Sequence, residues 1–270
     1  MAKIKTKSEL LKAYMKANKD RREIIANRAG FNSGDEYKSH LKAQIEKETT
    51  ENIEVVSENV VNDDVVVHNV HILDASYSME GSRMRSALQG INSEISELKK
   101  DNSVKYLQTV VYFSGEDQYY MPIDRRPIET VGEVVVKALN MTALYSAIGK
   151  TLEHLVKRKK PNEKTIVKVF TDGDENASYG KYRRSENLRD FIKTCEGLDI
   201  TVSFVGTKTD VATVVHRLGI DESNTLSHDN TKESIDKVFV ETMTATKSYV
   251  DKSLRGESTL VGFYKQSGTL

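Results

Sequence analysis

Residues 65–73 read VVVHNVHIL, a nearly unbroken run of β-branched and apolar side chains interrupted only by Asn69 and two histidines. A strand with one wet face alternates apolar and polar residues. A run this continuous fits a strand covered on both faces, as in a parallel sheet flanked by helices. Parallel neighbours need long crossovers, usually helical, so the rest of the chain should alternate helix and strand.

It does. Met84, Leu88, Ile91, Ile95 and Leu98 recur at helical spacing and predict a helix over Ser82–Lys100. A strand over Val104–Phe113, a turn at Gly115 and a short strand Gln118–Met121 form a hairpin, with Pro122 and Pro127 marking the sheet edge. Helices are expected at 130–139 and 144–157, then a strand Thr165–Phe170. A helix Asn187–Gly197, a strand Ile200–Val205, a helix Val211–Leu218, a brief strand Asn224–Leu226 and a closing helix Lys232–Tyr249 complete the pattern. The fold class is α/β, a doubly wound and mostly parallel sheet.

Before this domain, residues 1–50 read as a helical extension with one helix over 8–30 and a second from Asp35 to about Lys47. Residues 51–63 read as a polar linker, 64–250 as the α/β domain, and 251–270 as a tail that adds an edge strand or covers the surface. Residues 1–50 carry twelve Lys or Arg against seven Asp or Glu, yet the 270-residue chain has a net charge of zero. That balance argues against nucleic acid or acidic lipid as the organising partner. A single cysteine, Cys195, excludes an internal disulfide and a cysteine-built zinc site. No stretch approaches the roughly 18 apolar residues of a membrane span, and the basic N-terminus lacks the apolar core of a secretory signal. The expectation is a soluble, cytoplasmic protein, or one carried within a virion or larger assembly.

Ligands of open parallel sheets sit beyond the carboxyl ends of the strands. There the chain places Asp74, Ser76 and Ser78 after the first strand, Thr142 at the start of a helix, and Asp172 after the strand ending at Phe170. Alternate residues leaving a strand point the same way, so Asp74, Ser76 and Ser78 can face one ion. The set is all oxygen with two carboxylates, which suits a hard cation such as Mg²⁺ that keeps some of its water.

These three motifs closely resemble the metal-ion-dependent adhesion site of von Willebrand factor A-like domains. That family carries Asp-x-Ser-x-Ser, a distant Thr, and an Asp followed by Gly after the fourth strand. The resemblance spans residues 64–250, with one departure: Tyr77 stands where many members have a small residue. It implies a six-stranded sheet with the hairpin strand antiparallel at one edge. It also implies one Mg²⁺ or Mn²⁺, ligated directly by Ser76 and Ser78, by Thr142 directly or through water, and by Asp74 and Asp172 partly through water. The ion's open position would accept an Asp or Glu from a protein partner, which is binding rather than catalysis. Tyr77, Glu80, Tyr145, Glu175 and Tyr179 lie on or beside the surrounding loops and are expected to form the partner-binding rim.

Simpler readings compete with these. Two serines after a strand can merely cap a helix; Thr142 and Asp172 add what a cap does not need. The run Asp172–Asn176 suggests a calcium loop, but Ala177 and Arg183 stand where that loop needs Gly and Glu. His68 and His71 read as satisfied sheet residues, and Cys195 as an inert core thiol. An alternative function is a structural or assembly subunit, for example of a phage particle, using the domain as scaffold. A metal-dependent hydrolase is the remote third, because no nucleophile elbow or phosphate loop is present.

Overall fold

The computed structural model describes residues 26, 32–33, 35–40, 43, 65–136, 141–172 and 175–264. The chain divides into two compact units, Met1–Asp63 and Asp64–Leu270. In the first, residues 35–40 are helical. The Glu36 N–H donates to the Ser33 hydroxyl at 3.2 Å and the Asn32 N–H to the Glu36 carboxylate at 2.9 Å, a reciprocal pair that starts the helix. The helix expected over 8–30 and the linker 51–63 lie outside the described residues, apart from Ala26.

The second unit is built on a six-stranded sheet in the order β3-β2-β1-β4-β5-β6. Its strands are β1 (Val66–Asp74), β2 (Lys105–Phe113), β3 (Tyr119–Pro127), β4 (Glu163–Phe170), β5 (Ile200–Thr207) and β6 (Thr225–His228). All pairings are parallel except β2 with β3. The helices are α1 (Ser82–Leu98), α2 (Leu144–Arg158), α3 (Ser185–Glu196), α4 (Lys208–Leu218) and α5 (Lys232–Leu254). Helices α1 and α5 cover one face, with Ile91, Ile95, Val238 and Phe239 meeting Leu73, Val110 and Phe170. Helices α2, α3 and α4 cover the other, with Ile148, Leu188 and Val214 meeting Val70, Val167 and Phe204. The doubly wound architecture is as the run in β1 predicted. Val67 and Leu73 feed one core and Val70 and Ile72 the other.

Two local expectations need correction. Strand β3 does not stop at Met121 but runs through Pro122 to Pro127, with irregular register near Val110. An edge strand tolerates proline because one side of its backbone has no ladder partner. No helix forms over 131–136: a short 3₁₀ turn at Ile128–Thr130 gives way to irregular chain, and 137–140 lie outside the described residues. The backbone there is committed elsewhere. Asn92 of α1 accepts from the Val134 N–H at 2.8 Å and donates to its carbonyl at 3.0 Å, while the Lys99 ammonium donates to the Val131 carbonyl.

The closing helix runs past Tyr249 to Leu254 and meets the C-terminal segment where Thr242 bonds Tyr264 and the Tyr249 ring packs edge-on against Phe263. Residues 259–264 return over the sheet without forming a strand. Thr201 donates to the Thr259 carbonyl, Asn224 to that of Leu260, and the Phe263 N–H to Asn224 Oδ1. Of the expected tail, the described residues 259–264 therefore pack on the domain surface, and 265–270 lie outside the described residues.

Candidate metal centre

Strands β1 and β4 are neighbours, so their carboxyl ends deliver Asp74 and Asp172 side by side. Four of the five predicted ligands join in one hydrogen-bonded chain. Asp74 Oδ1 accepts from the Ser76 N–H at 2.7 Å, and Oδ2 accepts from the Thr171 hydroxyl. The Ser76 and Ser78 hydroxyls are 2.9 Å apart, and Ser78 donates to Asp172 Oδ1 at 2.7 Å. Burial pushes the Asp74 carboxyl up to about 6, against the pull of the Thr171 and Ser76 hydrogen bonds and with the help of nearby Asp172. Among the described residues no three His, Cys, Asp or Glu side chains converge on a site, so any cation here rests largely on hydroxyls.

Thr142 reaches the same rim by backbone bonds. Its N–H donates to Asn176 Oδ1 at 3.2 Å and its carbonyl accepts the Asn176 and Ala177 N–H groups. The next helix, α2, starts at Leu144 after Ala143, which has no side chain to cap it. The loop after β4 supplies that cap. Glu175 Oε2 accepts the Tyr145 N–H at 2.7 Å and Ser178 Oγ the Ser146 N–H at 3.0 Å. Glu175 also accepts from the Ala177 and Ser178 N–H groups and the Ser178 hydroxyl.

That arrangement corrects two of the rim expectations. Tyr145 is 4% exposed and packs in the α2–α3–α4 core, so its ring is not presented to a partner. Glu175 spends its carboxylate on the helix cap and its own loop. Tyr77 and Tyr179 are open, at 69% and 54%, and Glu80 is exposed. Met141, unremarkable in the sequence, adds a 51% exposed apolar side chain beside Thr142. Gly173 and Asp174 lie outside the described residues.

One charged group at the site gave no sign in the sequence. Arg83, the second residue of α1, brings Nη1 to 2.8 Å from Asp172 Oδ2. The contact lacks hydrogen-bond geometry, and Asp172 Oδ2 is a buried oxygen without a hydrogen-bond donor. A buried carboxylate oxygen that meets a cation without a hydrogen bond, beside two hydroxyls and a second carboxylate, fits a hard divalent ion. His228 sits close by, buried and with its pKa lowered by that burial. It accepts the Asn230 N–H on Nδ1.

Neither a family model nor a curated protein matches the chain. Solved structures do. The pilus adhesin SpaC from Lactobacillus rhamnosus GG, in its open conformation, superposes with a TM-score of 0.53 at 12% identity, over 73% of this chain and 30% of that one. The PilB minor pilin from Streptococcus sanguinis gives 0.51 at 12% identity, over 70% and 63%. Proximal thread matrix protein 1 from the mussel byssus, with a zinc-occupied MIDAS motif, gives 0.50 at 14% identity, over 80% and 52%. The chain shares the fold of these proteins, a six-stranded and mostly parallel sheet between two layers of helices. At these identities the likeness is one of fold, and this chain spans less than two thirds of each of these three proteins. Among the described residues no helix is long and apolar enough to cross a membrane.

Proposed function

We propose that this chain is a von Willebrand factor A-like protein-binding module that works through one divalent cation. Asp74, Ser76, Ser78, Thr142 and Asp172 would hold Mg²⁺ or Mn²⁺, and a partner protein would present an Asp or Glu to it. The observation that carries the reading is the hydrogen-bonded chain from Asp74 through Ser76 and Ser78 to Asp172, ending on a buried carboxylate oxygen that makes an ion pair but no hydrogen bond. A shared fold with a mussel protein whose MIDAS motif takes zinc supports a divalent ion in general.

When bound, such an ion supplies an electrophilic point able to take a carboxylate oxygen. The chain's own residues do the rest. Ser76 and Ser78 would supply neutral oxygen donors, the α2 cap holds the Thr142 loop in place, and Tyr77, Met141 and Tyr179 offer apolar contact around the rim.

Two measurements test this. Mn²⁺ titrated calorimetrically should bind the wild type at one site and fail to bind Asp74→Ala. A pull-down in Mg²⁺ and in EDTA should yield a partner only with the metal, and that partner should be lost from the Tyr77→Ala, Tyr179→Ala double variant. Unchanged Mn²⁺ affinity in Asp74→Ala would sink the site assignment.

A further inference from the structure

The guanidinium on Asp172 bears on how the site fills. Asp172 has a side chain only 1% exposed, while Arg83 is 33% exposed and reaches in from the rim. A buried carboxylate needs a compensating charge, and Arg83 is the cation at 2.8 Å that supplies it. A divalent ion held by Ser78 and Asp172 would neutralise the same oxygen and stand next to a fixed positive charge. A divalent ion and a guanidinium on one carboxylate repel each other, the more so the less water screens them. Arg83 stands in the first turn of α1, beside exposed Gly81 and Ser82, and its own side chain is 33% exposed.

We propose that Arg83 is a built-in competitor for the cation site: its guanidinium holds Asp172 in the metal-free state and must swing outward before a divalent ion enters. This rests on the metal-binding reading of the same residues. Arg83 is a positioning residue that sets the affinity and not a ligand. Its displaced guanidinium would then lie on the rim, where its planar fork suits a carboxylate approaching the ion.

The test compares the full chain with its Arg83→Gln and Arg83→Lys variants, using Mn²⁺ alone as the probe. Calorimetry should show Mn²⁺ binding Arg83→Gln about tenfold more tightly than the wild type, a coupling of the size usual between linked sites. Arg83→Lys, which keeps the charge but loses the fork, should fall between them. Thermal melts supply a second readout. In EDTA, Arg83→Gln should melt below the wild type because Asp172 loses its counter-charge, and saturating Mn²⁺ should close that gap. Equal or weaker Mn²⁺ affinity in Arg83→Gln, with wild type binding normally, overturns the competitor role and leaves the metal site standing. If no variant binds Mn²⁺, the metal reading itself fails and takes this one with it.

Discussion

Lys168 on β4 and Glu94 on α1 form an ion pair closed to solvent, their side chains 0% and 2% exposed. His71 from β1 joins Glu94 at 2.8 Å, and Thr246 from α5 donates to it at 2.7 Å. One carboxylate thus ties two helices to the two central strands. Burial alone would raise Glu94; the Lys168 charge and the His71 hydrogen bond outweigh it and hold the carboxyl at about 2. Lys168→Met should therefore cost roughly 3–5 kcal/mol, since it leaves a buried charge unpaired. Replacing both partners, Lys168→Met with Glu94→Leu, should recover the larger part. Urea unfolding of the three proteins checks it, and a double variant no better than Lys168→Met would contradict it.

Acid should weaken the fold. Burial lowers the pKa of His68 and of His71 below the usual 6.5. The unfolded chain then takes up protons that the folded one refuses, so stability is full above pH 6.5 and falls as the pH drops below it. Glu94, held at about 2 against its usual 4.5, extends the loss below pH 4.5. Asp74 acts in the opposite sense, since a carboxyl raised to about 6 binds its proton in the folded state first. The fall in urea midpoint between pH 7.5 and 5 should accordingly be steeper in Asp74→Asn than in the wild type. Equal slopes would show that Asp74 is not raised.

Cation binding should carry the same signature. Below pH 6 an incoming ion must displace the Asp74 proton, so Mn²⁺ affinity should rise about tenfold per pH unit up to about 6 and level off above it. Calorimetry at pH 5, 6 and 7.5 reads this directly. A flat profile would place the ion away from Asp74.

Helix α1 meets α5 at Gly90, where an added Cβ would come within 2.1 Å of the Phe239 ring. Gly90→Ala should destabilise by about 1–3 kcal/mol, the usual range for overpacking. The second change Phe239→Leu should relieve part of it. A wild-type melting temperature in Gly90→Ala would mean that the two helices separate freely.

Much of the fold was legible in the sequence, for reasons that can be named. The β1 run announces a two-faced strand because side-chain alternation is local. That Asp74, Ser76, Ser78 and Asp172 come together was legible because strand ends in such a sheet share one rim. Arg83 could not, since in GSRMR it looks like any solvated charge, and only the placement of α1 against the β4 loop brings it to Asp172. Glu175 was misjudged for a related reason: an acid in a polar loop gives no local hint that a distant helix lacks its own cap. The segment 131–136 misled through spacing. Val131 and Val134 mimic a helical period, while Asn92 and Lys99, far away in sequence, claim the backbone.

The prolines of β3 bear on how copies of this molecule can meet. Pro122 and Pro127 offer no N–H, Arg125 takes a left-handed backbone at φ 48°, and the ladder with β2 is irregular. The opposite border, β6, is four residues long. Neither border is a good template for an incoming strand, and a blunted border is how soluble sheets avoid growing into fibres. Even crowded at high local concentration, these molecules should therefore resist zipping together through their backbones.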